Sequence, residues 1–118
     1  MEKILRQSLL YDFYGELLTE HQKSVFEDYV LNNIGLSEIA LDRGISRQGV
    51  YDLIKRCDGI LENYESKLKL IDKFLKTKDM VRQIHTITKQ FDNLEVSLEQ
   101  KKLVDEINDL SNSILEEL

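Results

Sequence analysis

The sequence contains no proline, no tryptophan and a single cysteine, and it has only five glycines in 118 residues. Without proline the strongest breaker of helices is missing, which favours long helices. One cysteine excludes an internal disulfide framework. No apolar run approaches the roughly 18–20 residues that cross a bilayer, and the N-terminus lacks the basic flank and apolar core of a signal peptide. These absences predict a cytoplasmic, all-α protein without a membrane span.

Hydrophobic residues make up 42% of the chain and charged residues 32%. This length and composition suit one domain, or a small domain with an extension. We predict a helix-turn-helix domain over residues 1–58 and a helical extension over residues 59–118. The extension is expected to serve in packing or dimerisation.

The net charge of −6 is unevenly distributed along the chain. Residues 67–89 hold seven basic and two acidic side chains, whereas residues 93–118 hold two basic and seven acidic ones. Two interpretations stay open at this point. The two blocks can face each other or form ordinary solvated helix faces, or the basic block can be a functional patch.

The residues from Leu36 to Arg56 predict two short helices joined by a tight turn. Ser37 is expected to cap the first helix with its side-chain oxygen. Gly44 is expected to end it, because glycine adopts the left-handed conformation without steric cost. Ser46 is then expected to cap the second helix, whose apolar stripe consists of Val50, Leu53, Ile54 and Cys57.

This pattern resembles a helix-turn-helix. The small Ala40 allows the second helix to approach closely, and Gly44 follows four residues later in the turn. Arg43 departs from the pattern, which prefers an apolar residue there. Two helices are predicted before the motif, the second opened by a capping box from Thr19 to Gln22 and running to about Asn32.

After Arg56 the apolar stripe continues at steps of three and four residues. We therefore predict that the second helix of the motif is a long one that passes Gly59 and ends near Lys76, with a kink or break at Gly59 as the alternative. A further helix is predicted from Thr77 or Asp79, and a last one after a second capping box at Ser97. The apolar faces of these helices predict a homodimer or a hairpin that folds back on the chain.

The exposed face of the motif's second helix is the candidate nucleic-acid site. Recognition helices of this kind enter the major groove with their N-terminal residues, where Arg pairs with guanine and Gln with adenine. The predicted nucleic-acid-binding residues are Arg43, Ser46, Arg47, Gln48, Tyr51, Lys55 and Arg56. Residues 36–58 hold four basic and four acidic side chains, so a scaffold that binds RNA or protein is the competing interpretation. Its predicted contact surface is Lys67, Lys69, Lys73, Lys76 and Lys78.

Catalytic chemistry is not indicated. His21 and His85 are isolated and lack a second ligand at metal spacing, and Cys57 lies on an apolar stripe, where packing is the usual role. The glycines are scattered rather than grouped into a phosphate-binding loop. We predict a protein that is not an enzyme and has no metal and no cofactor.

Four segments together resemble the YlxM family of small bacterial proteins, whose helix-turn-helix is similar to the fourth region of sigma factors. The matching segments are YGELLT from Tyr14, LSEIA from Leu36, GISRQGVYDLIKR from Gly44 and ENYESKL from Glu62. The family is usually encoded beside the GTPase of the signal recognition particle or its receptor. The resemblance therefore implies a DNA-binding regulatory protein with a role in protein targeting. The alternative is an accessory factor that binds the RNA or the GTPase of the signal recognition particle.

Overall fold

The computed structural model describes residues 2–118 and contains six α-helices and no strand over that range. The all-α prediction is therefore confirmed. The helices are α1 (Lys3–Tyr14), α2 (Glu20–Val30), α3 (Leu36–Arg43), α4 (Arg47–Leu68), α5 (Leu70–Lys89) and α6 (Leu98–Glu116). Two short 3₁₀ turns, Gly15–Leu17 and Gln90–Asn93, follow α1 and α5. No helix within residues 2–118 combines the length and apolar character that a membrane crossing requires.

Side-chain caps define where three of these helices begin. The capping boxes at Thr19 and Ser97 are both present, each with a reciprocal bond from the glutamine three residues later. The cap at Ser46 is also confirmed, because its Oγ accepts from Gly49 N at 2.9 Å. The expected cap at Ser37 is wrong. Helix α3 begins two residues earlier, at Leu36, and its N-cap is Gly35, which has no side chain to accept a bond.

The chain divides into two compact units, with the boundary after Ile71. The boundary that the sequence suggested, between residues 58 and 59, falls inside α4. The first unit contains a continuous core in which α1, α2 and α3 all pack against α4. The fully buried side chains of this core are Leu10, Tyr14, Val25, Phe26, Ile39, Val50, Cys57, Leu61 and Ile71. The two helices before the motif thus cover its apolar side, as expected.

Helix α4 is continuous through Gly59 but ends earlier than the sequence predicted. It stops at Leu68, and Lys69 adopts a left-handed conformation (φ 55°) before α5 begins at Leu70. The prediction of one helix to about Lys76 and a new start at Thr77 or Asp79 is therefore wrong. The apolar repeat is unbroken across this junction, so periodicity alone gives no sign of the helix end.

A buried hydrogen-bond cluster accounts for the position of the junction. Glu65 Oε1 accepts from the Tyr14 hydroxyl at 2.5 Å and from Ile71 N at 2.9 Å, and the same hydroxyl accepts from Leu70 N at 3.1 Å. The first two N–H groups of α5 thereby gain the partners that every helix start needs. Burial and the bond to Glu65 raise the pKa of Tyr14 above its usual value, so the hydroxyl stays protonated.

The second unit consists of α5 from Asp72 onward, the 3₁₀ turn and α6. Its best-defined tertiary contact is polar: Thr88 Oγ1 donates to Asn108 Oδ1 at 2.7 Å, joining the end of α5 to the middle of α6. Next to this bond Ser111 is buried, and its hydroxyl donates to Ile107 O one turn earlier at 2.9 Å. One face of α6 therefore packs against α5.

Candidate nucleic-acid interface

The turn between α3 and α4 has the geometry that a helix-turn-helix requires. Gly44 lies in the left-handed region (φ 66°), and Ile45 N donates to Ala40 O at 3.1 Å. This bond reaches back over the end of α3 to a carbonyl oxygen that also accepts from Gly44 N, and it fixes the direction in which the chain leaves the helix. Ala40 is buried between the two helices. The local chemistry that the sequence indicated thus produces the predicted motif.

The N-terminal half of α4 presents one solvent-exposed polar surface, which we call the recognition face. Its residues are Ser46, Arg47, Gln48, Tyr51, Lys55 and Arg56, and all six are exposed. Val50, Ile54 and Cys57 lie on the opposite side of the same helix and are buried. The buried side of this amphipathic helix anchors it in the core, and the opposite side displays these six residues to solvent.

Within the recognition face the two arginines are available to a ligand. Arg47 and Arg56 form no ion pair and no side-chain hydrogen bond with any residue in the range 2–118. Gln48 Nε2 donates to Asp52 Oδ1 one turn later at 2.9 Å, so Asp52 orients the amide. The Lys55 ammonium lies 5.6 Å from the centre of the Tyr51 ring, a cation–π distance that leaves its charge exposed.

Gly49 preserves the start of α4. A Cβ atom built at Gly49 would lie 3.1 Å from Ser46 Oγ, the atom that caps the helix. Any larger residue would press on the cap. Glycine therefore keeps both the cap and the close approach of the first turn to whatever the recognition face meets.

Arg43 has a different environment from the rest of the predicted site. Its Nη2 donates to Ser24 Oγ at 2.7 Å and to Asp28 Oδ2 at 2.8 Å, both on α2. The structure therefore does not bring Arg43 together with the recognition face as a free cation. This contact explains the departure from the usual motif, since a polar clamp between α3 and α2 replaces the usual apolar contact.

Sequence reasoning missed Ser24 and Asp28 as positioning residues. Two signals were present: an arginine at a position where the motif prefers an apolar residue, and two polar residues four apart, on one face of α2. A charged residue at a packing position needs a partner. Searching for that partner on the preceding helix would have found this pair.

The five lysines of the alternative basic surface lie on both sides of the α4–α5 junction. Lys67 and Lys69 belong to the first unit, and Lys69 is the left-handed residue itself. In the second unit Lys76 pairs with Asp72 at 3.0 Å, and Lys78 lies over the Phe74 ring at 5.4 Å. Lys73 and Lys76 share one face of α5, whereas Lys78 is turned away by the helical repeat.

The remaining reactive side chains do not form a site within residues 2–118. No cluster of three or more histidine, cysteine or carboxylate side chains there has a metal-binding arrangement. Cys57 is fully buried, and burial raises the pKa of its thiol to about 11. A thiol with this pKa holds its proton at neutral pH and is a poor nucleophile.

Comparison with known proteins identifies the family. Residues 1–106 match the UPF0122 family model, described as "Putative helix-turn-helix protein, YlxM / p13 like". The chain is 40% identical over 116 residues to a UPF0122 protein of Acetivibrio thermocellus, covering 98% of this chain and 99% of the relative. A UPF0122 protein of Geobacillus sp. (strain WCH70) is 43% identical over 110 residues, covering 93% and 96% of the two chains. A third, from Clostridium novyi, is 37% identical over 116 residues and covers 98% of each chain. The chain therefore belongs to the UPF0122 family of YlxM- and p13-like helix-turn-helix proteins.

Proposed function

We propose that this protein is a DNA-binding regulatory protein that reads the major groove with the recognition face. The observation that carries the proposal is that Arg47 is exposed and unpaired within the described chain. It follows the capped N-terminus of α4 directly. In this position an arginine can donate two hydrogen bonds to one guanine edge. Gln48, held by Asp52, offers an amide to the neighbouring base pair.

The contacts to phosphate are assigned to the periphery of the same face. Lys55 and Arg56 lie about two turns further along α4, where they can reach the backbone beside the groove. Arg43 is left out of the contact set because Ser24 and Asp28 hold it. Its role is to fix α3 against α2, so that the turn presents α4 at a constant angle.

The test is a binding measurement after selection of a preferred duplex from a random pool. Fluorescence anisotropy then compares the wild type with Arg47→Ala, and with Arg82→Ala as a control. Arg82 is also an exposed arginine in a long helix, but it lies outside the motif. Arg47→Ala is expected to weaken binding roughly tenfold or more and to relax the preference at one base pair. Equal binding by both variants, with the base preference unchanged, would refute the proposal.

A second candidate is an accessory factor of the signal recognition particle, which binds its RNA or its GTPase and modulates protein targeting. The observation that favours a ligand other than DNA is the balance of four basic and four acidic side chains over residues 36–58, beside the basic excess of residues 67–89. Lys67, Lys69 and Lys73 are exposed and lack an acidic partner among the described residues. The particle itself is suggested by the family resemblance.

One pair of variants separates the two candidates. Charge reversal at Lys69 and Lys73 is expected to abolish binding to the particle's RNA or GTPase, while Arg47→Ala leaves that binding intact. The opposite pattern supports DNA reading. We place both activities in the cytoplasm, and we propose that the protein acts as a homodimer, since a two-fold pair offers two recognition faces to one duplex.

A further inference from the structure

The second unit leaves most of its hydrophobic side chains in contact with solvent. Among residues 72–118, all of which the structure describes, Val81 is the one hydrophobic side chain that is less than a tenth exposed. The large hydrophobic side chains that stay exposed are Leu75, Met80, Ile87, Phe91, Leu94, Leu98, Leu103, Ile107, Leu110, Ile114, Leu115 and Leu118. Apolar surface on this scale marks a place where another surface binds.

On α6 part of this surface follows a strict pattern. Leu103, Ile107, Leu110 and Ile114 are spaced by four, three and four residues, and their exposed fractions are 56%, 46%, 63% and 43%. We call these four residues the α6 seam. Isoleucine occupies the a positions and leucine the d positions of a heptad repeat. In parallel coiled coils this combination favours two strands over three or four.

The α6 seam is separate from the face of α6 that already has a neighbour. Asn108 and Ser111 each follow a seam residue by one position, and these two side chains lie toward α5, as the bond from Thr88 to Asn108 shows. One residue along a helix is a rotation of about 100°. The contact with α5 therefore uses a neighbouring stripe and leaves the seam uncovered.

We propose that two copies of this chain pair through the α6 seam, α6 beside α6 and parallel, around a two-fold axis. This deepens the proposed homodimer by naming its interface, and it rests on that proposal. The a and d residues favour a second copy of α6 as the partner, because isoleucine at a and leucine at d pack against the same residues of an identical helix. The charges agree: all four seam residues are uncharged, and the acidic side chains Asp105, Glu106 and Asp109 lie off the a and d positions. An acidic helix can therefore pair with itself here without carboxylates in the seam.

The first test measures the mass of the full chain in solution by sedimentation and light scattering over a wide range of concentration. We expect twice the chain mass of 13.9 kDa. Ile107→Asp and Leu110→Asp, each at the centre of the seam, are expected to weaken association at least about 30-fold. Leu98→Asp is the matched control, because Leu98 is 72% exposed on the same helix but lies at position f, off the seam. This control is expected to associate like the wild type.

Three results would overturn the proposal. A wild type that stays monomeric at every concentration removes the homodimer itself. A wild-type dimer that Ile107→Asp and Leu110→Asp leave intact keeps the homodimer but removes this interface. A trimer or tetramer contradicts the two-stranded pairing. None of these readouts depends on nucleic acid, so they are independent of the DNA-binding proposal.

A second test does not require a disruptive charge in the helix. Leu103→Cys and Leu110→Cys, made separately, are each expected to form a disulfide between two copies under mild oxidation, because equal d positions face each other in a parallel pair. Wild-type protein is the control, since its only cysteine, Cys57, is fully buried. In an antiparallel pair one position at most can meet its own copy. Crosslinking at one site or at neither would therefore refute the parallel arrangement.

Discussion

Replacing Arg43 by methionine tests whether this arginine is a structural clamp or a phosphate contact. Methionine keeps the apolar stem and removes the guanidinium, which donates to Ser24 at 2.7 Å and to Asp28 at 2.8 Å. A fully buried hydrogen bond to a charged group contributes about 1.5–3 kcal/mol. The Arg43 and Asp28 side chains are each 27% exposed, so solvent screening reduces this contribution. We expect Arg43→Met to lower the free energy of unfolding by about 1.5–2 kcal/mol.

The assay is urea unfolding followed by far-UV circular dichroism. At the expected magnitude the thermal midpoint falls by roughly 8 °C for a domain of this size. A double-mutant cycle with Asp28→Asn is expected to give a coupling free energy of about 1 kcal/mol, because each single variant leaves the other group without its partner. Arg47→Met is the matched control, since Arg47 is exposed and unpaired within the described chain. Its stability is expected to stay within about 0.5 kcal/mol of the wild type.

The same variant gives a second readout in a DNA-binding assay. A lysine or arginine that contacts a phosphate contributes close to one unit to the slope of log affinity against log salt. The structure leads us to expect an unchanged slope for Arg43→Met. A variant that unfolds like the wild type but loses about one unit of slope would refute the clamp and restore Arg43 to the nucleic-acid contacts.

Two further substitutions test the hydrogen bonds at the end of α4 and the continuity of this helix at Gly59. Tyr14→Phe removes the hydroxyl that donates to Glu65 and accepts from Leu70 N. We expect the free energy of unfolding in urea to fall by about 1–3 kcal/mol, because buried polar groups are left unpaired. Gly59→Ala is expected to raise the free energy of unfolding by about 0.5–1 kcal/mol, because glycine is unfavourable in a helix interior. A Cβ atom there would meet no other atom within 4 Å.

Each of these substitutions has its own control and contrary result. Tyr64 stacks on Tyr14 at 6.0 Å between ring centres, but its hydroxyl has no partner in the described residues, so Tyr64→Phe should be nearly neutral. If the two tyrosine variants lowered the free energy of unfolding equally, the hydrogen bonds at the α4–α5 junction would contribute nothing to stability. A Gly59→Ala variant that loses stability would indicate that α4 is bent at this residue in solution.

The motif could be predicted from sequence because its determinants are local. Gly44 sets the turn through its own backbone, and Ser46 caps α4 through a bond to a residue three positions away. Such signals depend on chain neighbours alone. The burial of Val50, Ile54 and Cys57 on α4 followed for the same reason, from the helical repeat.

The end of α4 could not be predicted because its determinants are distant in sequence. Tyr14 and Glu65 are 51 positions apart, and their bond exists only after α1 has packed against α4. Lysine is an unusual residue for the left-handed conformation, so Lys69 carries no local signal of a helix end. The environment of Arg43 could not be predicted for a similar reason: its partners lie on α2, and the motif pattern describes only α3 and α4.

The core contacts of α4 also bear on the thermodynamics of the proposed DNA binding. The helix that begins with Arg47 is 22 residues long, and its buried side chains hold it from Val50 to Leu61. The first turns are therefore ordered before any ligand arrives, and binding does not have to offset the conformational entropy of folding a recognition helix. The heat-capacity change on binding should then correspond only to the surfaces that meet, without the larger negative value of coupled folding.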